Sequence, residues 1–140
     1  MYDEDELTKQ CLEMFDENAD EVLKSDDFTQ LHLRTLNLLL AREFYVEKEI
    51  HVFEAVERWS EAECQRKGLS PEPQNKRKVL GDALYLVRMP LMSADEFTKG
   101  PVKSKMLTAD EALSVFTNPF NEVGESIFPS QVSKFITRTY

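Results

Sequence analysis

Residues 52–64 read VFEAVERWSEAEC, and residues 75–93 read NKRKVLGDALYLVRMPLMS. In the first run, apolar side chains recur at steps of three and four, the spacing that places them on one face of an α-helix. The pattern predicts a helix from about Glu47 to Gln65. Its buried face would comprise Ile50, Phe53, Val56 and Trp59 or Ser60. Its solvated face would carry Glu49, Glu54, Glu57 and Glu61.

The second run predicts a further helix, which begins at about Gln74 and ends before Pro90. Proline cannot continue a helix, because it has no backbone N–H and its ring clashes with the preceding turn. It also forces Met89 toward an extended conformation, so Leu91 and Met92 should pack back onto the core. The buried positions of this helix would be Val79, Leu80, Ala83, Leu84 and Val87.

Two shorter helices should follow, because the sequence twice fits the S/T-x-x-E capping box that begins a helix. The boxes are Ser93 with Glu96 and Thr108 with Glu111. We expect the first of these helices to end at Gly100-Pro101 and the second to end before Asn118. The second should bury Ala112, Leu113 and Phe116.

Upstream of residue 47, apolar spacing predicts a long first helix and a shorter second helix. The stripe of the first helix would comprise Leu7, Cys11, Met14 or Phe15, Asn18 or Ala19, and Val22. The stripe of the second would comprise Leu33, Leu36, Leu39 and Leu40. Phe28 and Leu31 lie in the connection between them.

These patterns predict an all-α fold of about six helices, arranged as stacked hairpins over residues 1–117. The chain of 140 residues is long enough for one domain of ordinary size. Residues 118–140 differ in character, because Pro119, Gly124 and Pro129 interrupt their apolar residues. We therefore predict that this segment is an irregular C-terminal tail or linker.

The net charge of −9 is concentrated in residues 1–28, which contain eleven acidic residues and two basic ones. Such a field repels phosphate backbones and anionic lipids, so we expect neither nucleic-acid nor membrane binding. The basic run at residues 76–78 is too short for a nucleic-acid site. An acidic first helix could favour a basic partner, although a solvated helix face is the simpler interpretation.

No residue pattern predicts catalysis, a metal site or a cofactor. A zinc site would need Cys, His or carboxylate ligands at close spacing, whereas the two His and the two Cys are far apart in sequence. Cys11 lies in the predicted stripe, which indicates a buried and inert thiol. A reactive thiolate at Cys64 would need a basic or His neighbour. We assign no catalytic, metal-binding or cofactor-binding residue, and the partner-binding residues stay open.

The two runs quoted above resemble the BACK domain, the helical module that follows the BTB/POZ domain in substrate adaptors of cullin-3 ubiquitin ligases. The first matches the VFEAVxRW core helix, and the second matches the VRxPLMS turn that closes the next helix. Within that family the chain is similar to BTB-BACK-PHR proteins, which share SEAEC, KVLGxALxLVRxPLM and a later EEF…GP. The last motif corresponds to Asp95-Glu96-Phe97 through Gly100-Pro101. The resemblance covers about Asp3 to Phe116.

The resemblance implies a non-catalytic spacer that orients substrate-binding parts relative to the cullin. Its partners would be cullin-3, through an adjacent BTB domain in the full-length protein, and a ubiquitination substrate. Of the helical pair that helps to grip the cullin in this family, only the end at Tyr2–Cys11 would be present. The expected location is the cytoplasm, with the nucleus as a second possibility. The alternative is a stand-alone helical binding module that uses the acidic first helix or the segment Pro119–Tyr140.

Overall fold

The computed structural model describes residues 4–42, 44 and 46–117. Its α-helices are α1 (Glu4–Lys24), α2 (Leu33–Leu40), α3 (Glu49–Arg66), α4 (Pro73–Leu80), α5 (Ala94–Phe97) and α6 (Ala109–Thr117). They are joined by 3₁₀ segments at Asp26–Gln30, Gly81–Leu86 and Met89–Leu91, and by a π-helical turn at Thr98–Val102. The described residues contain no strand, so the prediction of an all-α fold with about six helices is confirmed. The tail predicted for residues 118–140 lies outside the described residues.

Helix α3 lies at the centre of the fold and touches α1, α4 and the Asp26–Gln30 segment. Its predicted inner face is confirmed, since Phe53, Val56, Trp59 and Ser60 are buried, while Ile50 is half-buried. The indole Nε1–H of Trp59 donates a hydrogen bond to the carbonyl oxygen of Leu31 at 2.8 Å. This bond satisfies the polar end of a fully buried ring, as buried tryptophans usually require.

Helix α3 ends in a Schellman motif at Gly68, whose φ is 71°. The N–H of Leu69 donates to the carbonyl of Cys64 at 2.8 Å, and the N–H of Gly68 donates to the carbonyl of Gln65 at 3.1 Å. The left-handed backbone conformation at this position is energetically unfavourable for any residue that has a Cβ, and glycine has none. The motif turns the chain sharply toward Pro73, the first residue of α4.

The fourth helix is shorter than predicted, because Gly81 has a φ of 54° and a ψ of −131° and so interrupts it. The chain continues as the Gly81–Leu86 3₁₀ segment. Pro90 therefore does not end α4, and it lies within the next 3₁₀ segment, Met89–Leu91. All five predicted inner positions are nevertheless buried: Val79, Leu80, Ala83, Leu84 and Val87. Behind Pro90, Met92 is buried and Leu91 is half-buried.

Helix α5 begins with the predicted capping box. The Glu96 N–H donates to the hydroxyl oxygen of Ser93 at 3.1 Å, and the Ser93 N–H donates to the carboxylate of Glu96 at 3.0 Å. The predicted end at Gly100-Pro101 is wrong, since both residues lie inside the π-helical turn. A Cβ at Gly100 would lie 2.5 Å from Cδ1 of Ile50, so any larger residue at position 100 would require the Ile50 side chain to move.

Helix α1 is divided by a kink at Asn18, whose φ of −151° and ψ of 63° are not helical. Asparagine favours such departures, because its side chain competes with the helical backbone for hydrogen bonds. The inner stripe of α1 contains Phe15, Ala19 and Leu23, whereas Met14 is 62% exposed. The sequence left two alternatives open, Met14 or Phe15 and Asn18 or Ala19, and the structure buries Phe15 and Ala19. Val22 is half-buried.

Two other predicted core positions are wrong. Leu33, at the first turn of α2, is 36% exposed, while Leu36, Leu39 and Leu40 are buried as predicted. Leu113 on α6 is 59% exposed, and Val115 faces the core instead. The error has one cause: helices of eight and nine residues present only two turns each, so periodicity alone leaves their inner face ambiguous. The predictions for the side chains of Leu7 and Phe116 lie outside the described part of the chain.

No helix among the described residues has the length and the apolar composition that crossing a membrane requires.

Candidate functional site

A buried carboxylate fixes the start of α3. Glu49 was predicted to face water, but it is 2% exposed, and its carboxylate accepts the backbone N–H of Arg88 at 2.9 Å. Arg88 is buried as well: its guanidinium lies 6.0 Å from the ring centroid of Phe44 and donates to the carbonyl of Arg42 at 3.4 Å. The pair joins the first turn of α3 to the loop before Pro90.

A second polar cluster, which we call the Arg77 clamp, joins α4 to α6 and comprises Arg77, Tyr85 and Glu111. The guanidinium of Arg77 forms a two-pronged ion pair with the Glu111 carboxylate and also donates to the Tyr85 hydroxyl at 2.9 Å. A further bond runs from Arg77 to the carbonyl of Met106 at 2.9 Å. Bidentate pairs of this kind are stronger and more directional than single ion pairs.

Glu111 has two roles, because it also completes the predicted capping box of α6. It accepts the Thr108 N–H at 2.8 Å, and its own N–H donates to the Thr108 hydroxyl at 3.1 Å. The hydrogen bonds from Arg77 hold the pKa of the Glu111 carboxyl below its usual value, although burial opposes them. The same contact raises the pKa of Arg77. Both groups therefore stay charged over the physiological pH range.

Helix α1 is tied to the rest of the fold by ionic contacts on its surface. Asp16 pairs with Arg42 at the end of α2, with Nε and Oδ1 at 2.9 Å. Asp20 accepts the Glu47 N–H at 3.3 Å, and its Oδ1 lies 3.6 Å from Nδ1 of His51. These acids thus connect helices, and no group of three potential metal ligands exists among the described residues.

The basic run at residues 76–78 forms no continuous basic patch. Lys76 is buried and its Nζ lies 3.0 Å from the carboxylate of Glu57 on α3, while Arg77 belongs to the clamp. Only Lys78 is exposed. Lys76 and Arg77 therefore link α4 to α3 and α6, respectively.

The two thiols differ in their surroundings. Cys64 is fully buried near the end of α3, and burial raises its pKa. The prediction that Cys11 is buried is wrong, because it is half-buried. Desolvation and then the nearby Asp27 carboxylate raise the pKa of the Cys11 thiol. Neither environment favours a thiolate.

Cys11 lines a surface cleft that we call the α1 groove, between α1 and the Asp26–Gln30 segment. Its volume is about 320 Å³. The floor is formed by Cys11, Met14, Val22, Phe28 and Leu31, and the rim carries Glu17, Glu21 and Asp27. A second cleft of about 460 Å³ shares Cys11, Met14, Asp27 and Leu31 and continues toward α2 at His32 and Thr35. Such an apolar floor with a charged rim is typical of a surface that binds another polypeptide segment.

The helices and their polar links define an all-α module, and the comparison with known families agrees. Residues 1–100 match the family model described as BACK, BTB And C-terminal Kelch, and the chain belongs to this family. The resemblance inferred from residues 52–64 and 75–93 is thereby confirmed.

Relatives of known name are BTB/POZ proteins. The chain is 48% identical over 116 residues to BTB/POZ domain-containing protein 6 of Xenopus tropicalis and 47% identical to the human protein of that name. It is 45% identical to human BTB/POZ domain-containing protein 3. Each alignment covers 83% of this chain and 22% of the relative, so the chain spans about a fifth of these proteins. No solved structure matches the chain significantly.

Sequence reasoning missed the buried polar residues. Glu49 and Arg88 were not recognised, because a single acid at a helix start and a single base in an apolar run are ordinary surface features. The capping motif did identify Glu111, but nothing in the sequence indicated Arg77 as its partner, 34 positions away.

Proposed function

We propose that this chain is the helical spacer of a BTB-type substrate adaptor for a cullin-3 ubiquitin ligase. In this function it performs no catalysis and orients the substrate-binding parts of the full-length protein relative to the cullin. Cullin-3 would bind mainly through an adjacent BTB domain, and the protein's other partner would be a ubiquitination substrate. The location would be the cytoplasm, with the nucleus as a second site.

The observation that carries this proposal is the set of polar links between sequence-distant helices. Glu49 on α3 accepts the N–H of Arg88 in the loop before Pro90, and Arg77 on α4 pairs with Glu111 on α6, across 39 and 34 positions. Such buried, directional contacts define one relative placement of helices better than apolar packing alone. A module that holds two parts of a ligase in register needs this property, because substrate and ubiquitin donor react only when held close together.

Binding to the cullin tests this proposal. Titration of the chain against the cullin-3 N-terminal domain by calorimetry should give a dissociation constant weaker than about 10 µM, because the Tyr2–Cys11 end of the cullin-gripping helical pair cannot by itself supply the ~1,200 Å² of a stable interface. Fusion of a BTB domain upstream should tighten binding steeply. A sub-micromolar constant for the chain alone would show that the module has its own cullin site and would refute the spacer function.

The α1 groove favours a second candidate function, a stand-alone module that binds a protein partner through α1. The two functions differ in the length of the native protein. The intact mass measured in cell extract separates them: a mass far above 16.2 kDa supports the adaptor, and a mass of 16.2 kDa supports the stand-alone module.

A further inference from the structure

A histidine and a carboxylate meet without a hydrogen bond where α1 contacts the first turn of α3. Nδ1 of His51 lies 3.6 Å from Oδ1 of Asp20, beyond the roughly 2.7–3.2 Å of an N–H···O bond. Both atoms are shielded from solvent, and neither has a hydrogen-bond partner among the described residues. We propose that this pair, the His51 latch, is a proton-controlled switch, in which protonation of His51 ties the part of α1 after the kink to α3. The proposal is independent of the cullin-3 function.

The charge of the imidazole decides how strong the contact is. When neutral His51 carries its proton on Nε2, Nδ1 presents a lone pair to the carboxylate, and the two acceptors repel each other. The other neutral tautomer donates from an uncharged ring, whereas the imidazolium adds the attraction of opposite charges. Histidine is the side chain that ordinarily gains this charge between about pH 8 and pH 5. Proton uptake from solvent therefore strengthens the contact in that range.

The carboxylate of Asp20 is already oriented for this bond. Its other oxygen, Oδ2, accepts the backbone N–H of Glu47 at 3.3 Å, just before α3 begins. That bond leaves Oδ1 as the oxygen that faces His51. Shortening the contact from 3.6 Å to a charge-assisted length of about 2.8 Å requires a shift of only about 0.8 Å. Adjustment of the two side chains is therefore enough to close the latch.

The other charged groups near the pair are bonded elsewhere or exposed. They are Asp16 and Lys24 on α1, Arg42 after α2, Glu47 and Lys48 before α3, Glu49, Glu54 and Arg58 on α3, and Arg88 before Pro90. Those bonded elsewhere are Asp16 with Arg42, Glu49 with the Arg88 N–H, and Arg58 with the carbonyl of Leu23. The rest are exposed, so water and salt screen their charges. The charge that acts on Nδ1 of His51 is therefore chiefly that of Asp20.

The latch acts on the part of α1 that follows the kink at Asn18. Two residues connect this part to α3: Asp20 through the latch, and Leu23 by accepting a hydrogen bond from Arg58. The part before the kink is held instead near α2, where Asp16 pairs with Arg42. Closing the latch should therefore hold residues 19–24 on α3 and leave the attachment of the earlier part unchanged.

The full chain contains two histidines, and this provides the matched control. His51→Gln removes the titrating group of the latch, whereas His32→Gln makes the same change at the exposed N-cap of α2. Urea titrations at about pH 5.5 and about pH 8 give the folding equilibrium constant of each protein. The ratio of the parent's constant to that of His51→Gln should be about fivefold larger at the lower pH, the upper range for a partly exposed ion pair. The ratio of the parent's constant to that of His32→Gln should be the same at both pH values.

Asp20→Asn identifies the partner of His51, because it keeps an acceptor for the Glu47 N–H but has no negative charge. In this background the effect of His51→Gln should no longer depend on pH. Hydrogen exchange at residues 19–24, corrected for the intrinsic effect of pH, should slow about fivefold at the lower pH in the parent but not in His51→Gln. A pH-independent ratio, or equal behaviour of the two histidine variants, would overturn the proposal. Loss of the effect in EDTA would also overturn it, since it would assign the contact to a bound metal ion.

Discussion

The carboxylate of Glu49 accepts the backbone N–H of Arg88, 39 positions later, at 2.9 Å, and neither residue is more than 2% exposed. The bond satisfies a main-chain donor at the point where the 3₁₀ segment has ended and no helical carbonyl is available. A helix start and a loop are thereby held together inside the core.

Replacing Glu49 by alanine should destabilise the domain, because the Arg88 N–H would lose its acceptor. The expected loss is about 1–3 kcal/mol in the free energy of unfolding, measured by denaturant titration. Glu49→Gln keeps an acceptor oxygen and should lose less. Glu54→Ala, an exposed change on the same helix, should stay within about 0.5 kcal/mol of the parent. Equal losses for Glu49→Ala and Glu54→Ala would contradict the buried contact.

Trp59 and Phe53 should be the strongest core positions of α3, since both are buried. Each alanine substitution should cost about 3–5 kcal/mol, as seen by circular dichroism during denaturant unfolding. Trp59→Phe retains most of the ring volume but leaves the Leu31 carbonyl without the indole donor, so it should cost less than Trp59→Ala. Losses below about 1 kcal/mol for both alanine variants would show that the face of α3 that contains Trp59 and Phe53 is not buried.

Acid should weaken the Arg77 clamp. Because the pKa of Glu111 is lower in the folded chain than its ordinary value of 4.5, its contribution to stability is fully present above that value. The contribution is lost as pH falls through the lower, folded pKa. Glu111→Gln should therefore reduce stability at pH 7 and flatten the decline below pH 4.5, measured by thermal unfolding across pH. Asp110→Asn, an exposed neighbour on the same turn, is the control. If the stability of Glu111→Gln and that of the parent fell in parallel below pH 4.5, protonation of Glu111 would not be the cause of the loss.

Ser93 caps α5, and Ser93→Ala should cost about 1 kcal/mol through loss of the side-chain acceptor for the Glu96 N–H. Ser93→Asp supplies an equivalent acceptor and should restore most of the stability. Urea midpoints of the three proteins give the comparison. The cap would be irrelevant if the alanine and aspartate variants behaved alike.

Most of the architecture could be predicted, because capping boxes and long apolar stripes are local signals. Ser93 with Glu96, and Thr108 with Glu111, begin helices as expected, and the long α3 buries the predicted side of the helix around Trp59. Local signals failed where the outcome depends on distant atoms. Gly100 lies inside a helical turn that packs against the Ile50 side chain, 50 positions earlier, and no local signal shows this contact.

The polar links depend on pairing across the chain, so the sequence could not reveal them. Arg77 is one of three consecutive bases, and only the fold brings it to Glu111 while its neighbour Lys76 turns to Glu57. Exposed positions on short helices were ambiguous for a related reason. Leu113 and Val115 are both apolar, and the neighbouring segments decide which of them is covered.

The kink at Asn18 has a mechanical consequence. The part of α1 before the kink is held by α2, through the contact of the Thr8 and Thr35 hydroxyls at 3.3 Å and through Asp16 with Arg42. The part after it is held by α3, where Arg58 donates to the carbonyl of Leu23. Because the kink lies between these contacts, we expect the first part of α1 to separate from α2 without breaking the bond between Arg58 and Leu23.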